Sequence, residues 1–170
     1  VVDTTKNLLK KMPDCDVMIA RGATYRDLSR RSSPVPLVEL ITTGTDIVNI
    51  FLKLRQQYGN LPAAILGTPN MILGIEKISY QMGVDVTPYF LEENSQEDLI
   101  QNVNRAFADR KKILIGGRIS TGHAKALGME TMLITSGRDA FWNAFSEAKQ
   151  LAKISIKERK KALAFKTLLD

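Results

Sequence analysis

The chain has 170 residues, of which 44% are hydrophobic and 25% are charged, and its formal net charge is +6. A chain of this size and composition can bury the core of one ordinary domain or of two small lobes, which argues against a fibrous or disordered protein. A single cysteine and a single histidine exclude an intramolecular disulfide and a Cys/His zinc site, and no apolar stretch or leader predicts a membrane location, so we expect a cytoplasmic protein.

Six short apolar runs predict β-strands. They lie at residues 17–20, 37–41, 63–67, 84–91, 113–116 and 131–135. Apolar residues recur at helical spacing between them, most clearly at 46–58 and 96–110. Because strands alternate with helices, we expect an α/β fold with parallel sheets and right-handed crossovers.

A degenerate repeat runs through these elements. Arg21-Gly22 after the first strand and the later turn at 42–46 have counterparts in Gly117-Arg118 and the turn at 135–139. In both copies a strand leads into a glycine, and Thr and Asp stand where the next helix needs its N-cap, which makes Asp46 a predicted cap. The repeat predicts a first lobe at 1–60, a second lobe at 61–138 and a crossing and output helix at 139–170.

The two copies differ in what precedes them. When Ile19 is aligned with Ile115, two further strands precede the second copy and none precedes the first. We therefore expect the first lobe to be incomplete at its amino terminus by a strand–helix–strand unit of roughly 35 residues. The turn at 59–62 is expected to separate the lobes.

The positive charge is concentrated at the carboxyl end. Residues 149–170 contain seven basic and two acidic residues and so carry +5 of the total charge. A basic helix is more often a solvated face than a nucleic-acid contact. We expect a long terminal helix that either leads to a downstream module or packs on the domain.

Arginines and glycines follow the predicted strands. Arg21, Arg118 and Arg138 each come just after a strand. A guanidinium can bind a carboxylate or phosphate through two parallel hydrogen bonds, and glycine allows backbone N–H groups close to a ligand. This pattern predicts a small-anion site in a cleft between the lobes, with ordinary solvated loops as the alternative. The predicted ligand-binding residues are Arg21, Gly22, Thr24, Thr43, Gly44, Asn70, Gly116, Gly117, Thr121, Ser136 and Gly137.

Catalytic motifs are scarce. His123 is the only histidine and Cys15 the only cysteine, and there is no Gly-x-Ser-x-Gly elbow or phosphate-binding glycine loop with its lysine. We therefore predict no enzyme, no cofactor and no metal for this chain. Two alternatives stay open: an isomerase or lyase for a phosphorylated or carboxylated substrate with His123 as general base, and an interaction module that pairs through its terminal helix.

Five motifs, taken in order, resemble a known family. They are Ile19-Ala20-Arg21-Gly22-Ala23-Thr24, Thr43-Gly44-Thr45-Asp46, Gly67-Thr68-Pro69-Asn70, Gly116-Gly117 and Ser136-Gly137. In order and spacing this set resembles the amino-terminal receptor domain of propionate-catabolism regulators, as far as about Leu151.

The resemblance implies a cytosolic bacterial sensor domain built as two chelatase-like three-layer α/β/α lobes. It implies a tricarboxylate ligand such as 2-methylcitrate, which agrees with the predicted anion site. It also implies an ATPase and a helix-turn-helix module in the same polypeptide, through which alone the protein would reach DNA and sigma-54 RNA polymerase. A homodimer is compatible with this arrangement, and no membrane partner is expected.

Overall fold

The computed structural model describes residues 14–31, 33–92 and 95–167. The strands in this part of the chain are β1 (Met18–Ala20), β2 (Leu37–Glu39), β3 (Ala63–Gly67), β4 (Val86–Phe90), β5 (Ile113–Gly116) and β6 (Glu130–Leu133). The helices are α1 (Gly22–Arg30), α2 (Gly44–Tyr58), α3 (Pro69–Ile72), α4 (Ile75–Met82), α5 (Gln96–Ala108), α6 (Arg118–Ala126) and α7 (Arg138–Thr167). Each predicted strand and helix therefore corresponds to an observed element.

The chain forms two compact units. Unit 1 holds the described residues up to Leu40 together with those from Arg138 onward, and unit 2 is Ile41–Gly137. This division differs from the predicted boundary near residue 60, because α2 packs its apolar face into the core of unit 2. It also places residues 139–167 within unit 1, because α7 packs on the strands of that unit.

Unit 2 is built on a four-stranded parallel sheet in the order β4-β3-β5-β6. Ala63 of β3 pairs with both Val86 of β4 and Ile113 of β5. The two central strands are buried along their whole length. Near-continuous apolar strands of this kind are typical of parallel sheets covered on both faces.

Helices cover both faces of this sheet. On one face, Ile65 and Ile115 pack with Phe51 of α2 and with Ile75 of α4. On the other face, alternate sheet residues such as Leu66 pack with α5 and α6. Unit 2 is therefore a three-layer α/β/α structure, and the predicted α/β class with parallel sheets is confirmed.

Unit 1 contains the two-stranded parallel sheet of β1 and β2, in which Ile19 pairs with Val38. Helix α7 presents Ala140, Ala144 and Ala148 to this sheet, where they pack with Val38 and Leu40. Alanine at every fourth position gives the helix a narrow face of small side chains that can lie close to a sheet.

Two helices pack in a different unit from the strand that precedes them in the chain. Helix α2 follows β2 of unit 1 but packs in the core of unit 2, and α7 follows β6 of unit 2 but packs in unit 1. Unit 2 is consequently one continuous stretch of chain, whereas unit 1 is assembled from two. Across the described residues, none of the helices has both the length and the apolar character that crossing a bilayer requires.

Candidate ligand-binding site

The candidate site lies at the carboxyl edge of the sheet in unit 2. Strands β3 and β5 end at Gly67 and Gly116, and their neighbour β6 ends at Leu133. Because these three parallel strands are adjacent, the loops that follow them emerge side by side. In open parallel sheets this edge is the usual place for a ligand.

The start of α2 is joined to this edge through Asp46, which is only 5% exposed. Thr43 and Asp46 form a reciprocal capping box: the Asp46 N–H donates to Thr43 Oγ1 over 3.2 Å, and the Thr43 N–H donates to Asp46 Oδ2 over 2.9 Å. The other carboxylate oxygen, Oδ1, accepts the Gly137 N–H over 2.7 Å. One carboxylate therefore holds the loop after β2 and the loop after β6 together, and the predicted cap role of Asp46 is confirmed.

The predicted glycines differ in how open they are. A Cβ added at Gly44 or Gly117 would meet no atom within 4 Å, whereas at Gly116 it would lie 2.5 Å from Ser120 Oγ and at Gly137 2.7 Å from Asp46 Oδ1. Gly44 and Gly117 are also exposed and stand at the starts of α2 and α6. They offer accessible backbone at helix N-termini, where N–H groups favour anions. Gly116 and Gly137 serve close packing instead.

Hydroxyl groups at the start of α6 serve the helix itself. The Thr121 hydroxyl donates to the carbonyl oxygens of Gly117 (2.9 Å) and Arg118 (3.1 Å), and Thr121 is only 8% exposed. The Ser120 hydroxyl also donates to the Gly117 carbonyl, over 3.0 Å. The exposed polar side chain here is that of Arg118, the first residue of α6.

Two further loops complete this edge. Thr68 is fully buried and its hydroxyl donates to Oδ1 of Asn70, an exposed residue of the short helix α3. Ser136, between β6 and α7, has a buried hydroxyl oxygen with no hydrogen-bond partner within the described residues. A buried hydroxyl without a partner is uncommon and marks a position where a further polar group would be stabilised.

Three predicted site residues lie in unit 1, at the carboxyl end of β1. Arg21 is the N-cap residue of α1, and its carbonyl accepts the Thr24 N–H over 3.1 Å. Gly22 is buried and has a φ of +51°, a backbone conformation that favours glycine. Thr24 is exposed in the first turn.

The structure thus places eight of the predicted residues in unit 2 and three in unit 1. The eight are Thr43, Gly44, Asn70, Gly116, Gly117, Thr121, Ser136 and Gly137. Asp46 is not among the predicted binding residues, and its contact with Gly137 spans 91 positions of sequence. Its place three residues after Thr43 indicated a cap, and no local pattern indicated the second contact.

His123 lies on α6 with Nε2 3.4 Å from Oδ1 of Asn104 on α5, a pairing on the outer helical layer. In the ranges that the structure describes, no group of three or more His, Cys, Asp or Glu side chains is placed to bind a metal ion.

A titratable group with a shifted pKa lies outside this edge, at Tyr89 of β4. Its hydroxyl donates to Asp109 Oδ2 over 2.7 Å, and the Arg105 guanidinium lies 5.8 Å from the ring centre. Burial, followed by the hydrogen bond to Asp109, raises the pKa of Tyr89 well above its ordinary value.

The crystal structure of an NtrC family transcriptional regulator from Clostridium acetobutylicum is similar, with a TM-score of 0.77 and 21% sequence identity over 91% of this chain and 80% of that chain. At this identity the likeness shows the fold alone. No curated protein matched the sequence. The sequence pattern of the family described as propionate catabolism activator matches residues 2–158.

Proposed function

Because this chain belongs to the propionate catabolism activator family, we propose that it is the ligand-sensing domain of a bacterial sigma-54-dependent transcriptional regulator. The family match over residues 2–158 carries this proposal. The ligand is a small carboxylate-like anion bound by the strand-end residues, and its binding is transmitted through α7. From the family resemblance we expect an ATPase and a DNA-binding module in the same polypeptide, and sigma-54 RNA polymerase as their partner. These partners imply a cytoplasmic location.

The chemistry of the strand ends supports an anion. In unit 2 the accessible backbone at Gly44 and Gly117 stands at the N-termini of two helices of 15 and 9 residues. Arg118 adds a full positive charge beside Gly117, and the Ser136 hydroxyl, which has no hydrogen-bond partner among the described residues, adds a donor. In unit 1, Arg21 and Thr24 supply donors of the same kind. Backbone N–H groups, guanidinium groups and hydroxyls are the set that binds carboxylates.

The accessible glycines allow a direct test. Gly44→Ala and Gly117→Ala introduce a methyl group that meets no protein atom, so the fold should be unchanged while the methyl occupies space that the ligand needs. Gly122→Ala, an equally open glycine inside α6, is the matched control. Isothermal titration calorimetry with citrate, 2-methylcitrate and tricarballylate at constant ionic strength should show binding to the wild type and to Gly122→Ala, weakened at least tenfold in the other two variants.

A charge variant extends the test. Arg118→Gln should weaken binding of the same acids, whereas Lys125→Gln, which removes an exposed charge later on the same helix, should not. If none of the three acids binds the wild type, or if Gly44→Ala and Gly117→Ala bind as the wild type does, the proposed anion site is wrong.

The fluorescence of Trp142 tests whether ligand binding is transmitted to α7. Trp142, the only tryptophan, lies in the first turns of α7 and is 67% exposed. If ligand binding changes the surroundings of α7, citrate-type acids at saturation should change the Trp142 emission. An unchanged spectrum at saturation would contradict this part of the proposal.

A further inference from the structure

Asp46 makes more contacts than a helix cap needs. The capping box with Thr43 uses one carboxylate oxygen, Oδ2, and already satisfies the first turn of α2. The second oxygen accepts the Gly137 N–H at 2.7 Å, the shorter of the two bonds from backbone N–H groups to this carboxylate. This second bond has no role in capping α2.

The two bonded loops have a special place in the chain. The chain passes from unit 1 to unit 2 between Leu40 and Ile41, and returns between Gly137 and Arg138. Thr43 lies just after the first passage and Gly137 is the last residue before the second. The Asp46 carboxylate thus fastens the unit 2 ends of both connections to each other.

The same two loops carry the proposed ligand-binding groups. Thr43 ends the first loop and Gly44 begins α2, whereas Ser136 belongs to the second loop, which leads directly into α7. A ligand that contacts these groups needs the two loops in one fixed arrangement, because a displacement of about 1 Å is enough to lose well-aligned hydrogen bonds. Asp46 is buried and makes a bond to each loop, so it can supply this arrangement.

We propose that Asp46 is the positioning residue of the anion site, holding the loop after β2 against the loop that leads into α7. This inference rests on the proposed function for its consequence in ligand binding, although the contact can be measured without any ligand. The contact also needs glycine at position 137, because a Cβ there would stand 2.7 Å from Asp46 Oδ1. A side chain at residue 137 would therefore force the carboxylate and the loop apart.

Amide hydrogen exchange of the whole chain, followed by NMR, tests the contact. In Asp46→Asn the side chain keeps a single acceptor oxygen for two N–H groups, so the Gly137 or the Thr43 amide should exchange at least tenfold faster than in the wild type. Gly137→Ala should likewise speed exchange of the Thr43 amide. Asp139 is an exposed carboxylate at the start of α7. Asp139→Asn should leave the exchange rates of the Gly137 and Thr43 amides within twofold of those in the wild type.

A second readout separates positioning from general stability. Ser95→Ala removes the N-cap bond to the Asp98 N–H at α5, and so lowers stability without touching either loop. If Asp46 positions the site, Asp46→Asn should raise the dissociation constant for citrate at least tenfold, whereas Ser95→Ala should leave it within twofold.

The outcomes distinguish the two proposals. Unchanged exchange at both Gly137 and Thr43 in Asp46→Asn overturns the Asp46 proposal, whatever the titration gives. Equal loss of citrate binding in Asp46→Asn and Ser95→Ala also overturns it, because the effect would then be one of stability alone. Faster amide exchange together with no binding of citrate, 2-methylcitrate or tricarballylate to the wild type overturns the proposed anion site, and with it the role of Asp46 in ligand binding, but supports the contact between the loops.

Discussion

At the scale of single residues, Tyr89 couples the edge strand β4 to the end of α5. The residue is 5% exposed, and its hydroxyl donates to the carboxylate of Asp109, the C-cap residue of α5. The neutral phenol fits this environment, since a phenolate would be buried beside a carboxylate. That preference is the reason why the pKa of Tyr89 is raised.

The raised pKa predicts a dependence of stability on alkaline pH. In the unfolded chain the phenol loses its proton near its ordinary pKa of about 10, whereas in the folded chain it stays protonated above that value. The contribution of the neutral phenol is therefore complete below about pH 10 and is lost as the pH rises further. In urea unfolding between about pH 9 and 11, the wild type should lose stability more steeply than Tyr89→Phe.

Tyr80→Phe is the control for this experiment, because Tyr80 is 88% exposed. It should lose stability with pH as steeply as the wild type does. Parallel curves for the wild type and Tyr89→Phe would contradict the predicted role of Tyr89.

Among the single residues of the site, some contacts could be predicted from the sequence and others could not. Thr43 and Asp46 stand three apart before an apolar helical pattern, and this local spacing was sufficient to predict the cap. The bond from Gly137 to Asp46 depends on two segments 91 residues apart and could not be predicted from local spacing. The residue type of Thr121 predicts a donor for the ligand, but its hydroxyl donates to its own helix, as threonine in a helix often does.

At the scale of elements, α2 shows how a helix is assigned to a core. Phe51 is fully buried against the sheet of unit 2, whereas the next residue, Leu52, is 47% exposed. Phe51→Ala should lower the free energy of unfolding by about 3–5 kcal/mol, since it leaves a large cavity. Leu52→Ala should change it by only about 0.5 kcal/mol. Urea unfolding followed by circular dichroism measures both, and equal effects would contradict the packing of α2.

Strand positions could be predicted because strand burial follows the apolar pattern. The predicted limits at 63–67 and 113–116 match β3 and β5, which are central and buried. The prediction at 84–91 extends beyond β4 because Val84 and Leu91, both 7% exposed, are buried just outside the limits of the strand. An apolar run reports burial, and burial continues beyond the residues that have strand geometry.

At the scale of the whole molecule, the lobe boundary could not be predicted. The turn at 59–62 is real, and Gly59 has a φ of +64°, but it connects α2 to β3 within unit 2. A turn in sequence is the same whether it joins two elements of one core or two separate cores. Which sheet a helix packs on depends on contacts distant in sequence, such as those of Phe51 with the strands of unit 2.

The two separate cores predict an unfolding behaviour that two probes can resolve. Trp142 lies in unit 1 and its fluorescence reports on α7, whereas circular dichroism reports on the helices of both units. In Phe51→Ala the circular dichroism midpoint in urea should fall further than the Trp142 fluorescence midpoint, because the cavity lies in unit 2. Midpoints that fall together by the same amount would show that the units unfold as one.

The discontinuity of unit 1 has a consequence for biosynthesis. A ribosome completes Ile41–Gly137 before it begins α7, so the inserted unit has its whole core while β1 and β2 still lack the alanine face that covers them. The core that β1, β2 and α7 share can therefore form only after the whole of unit 2 has been synthesised.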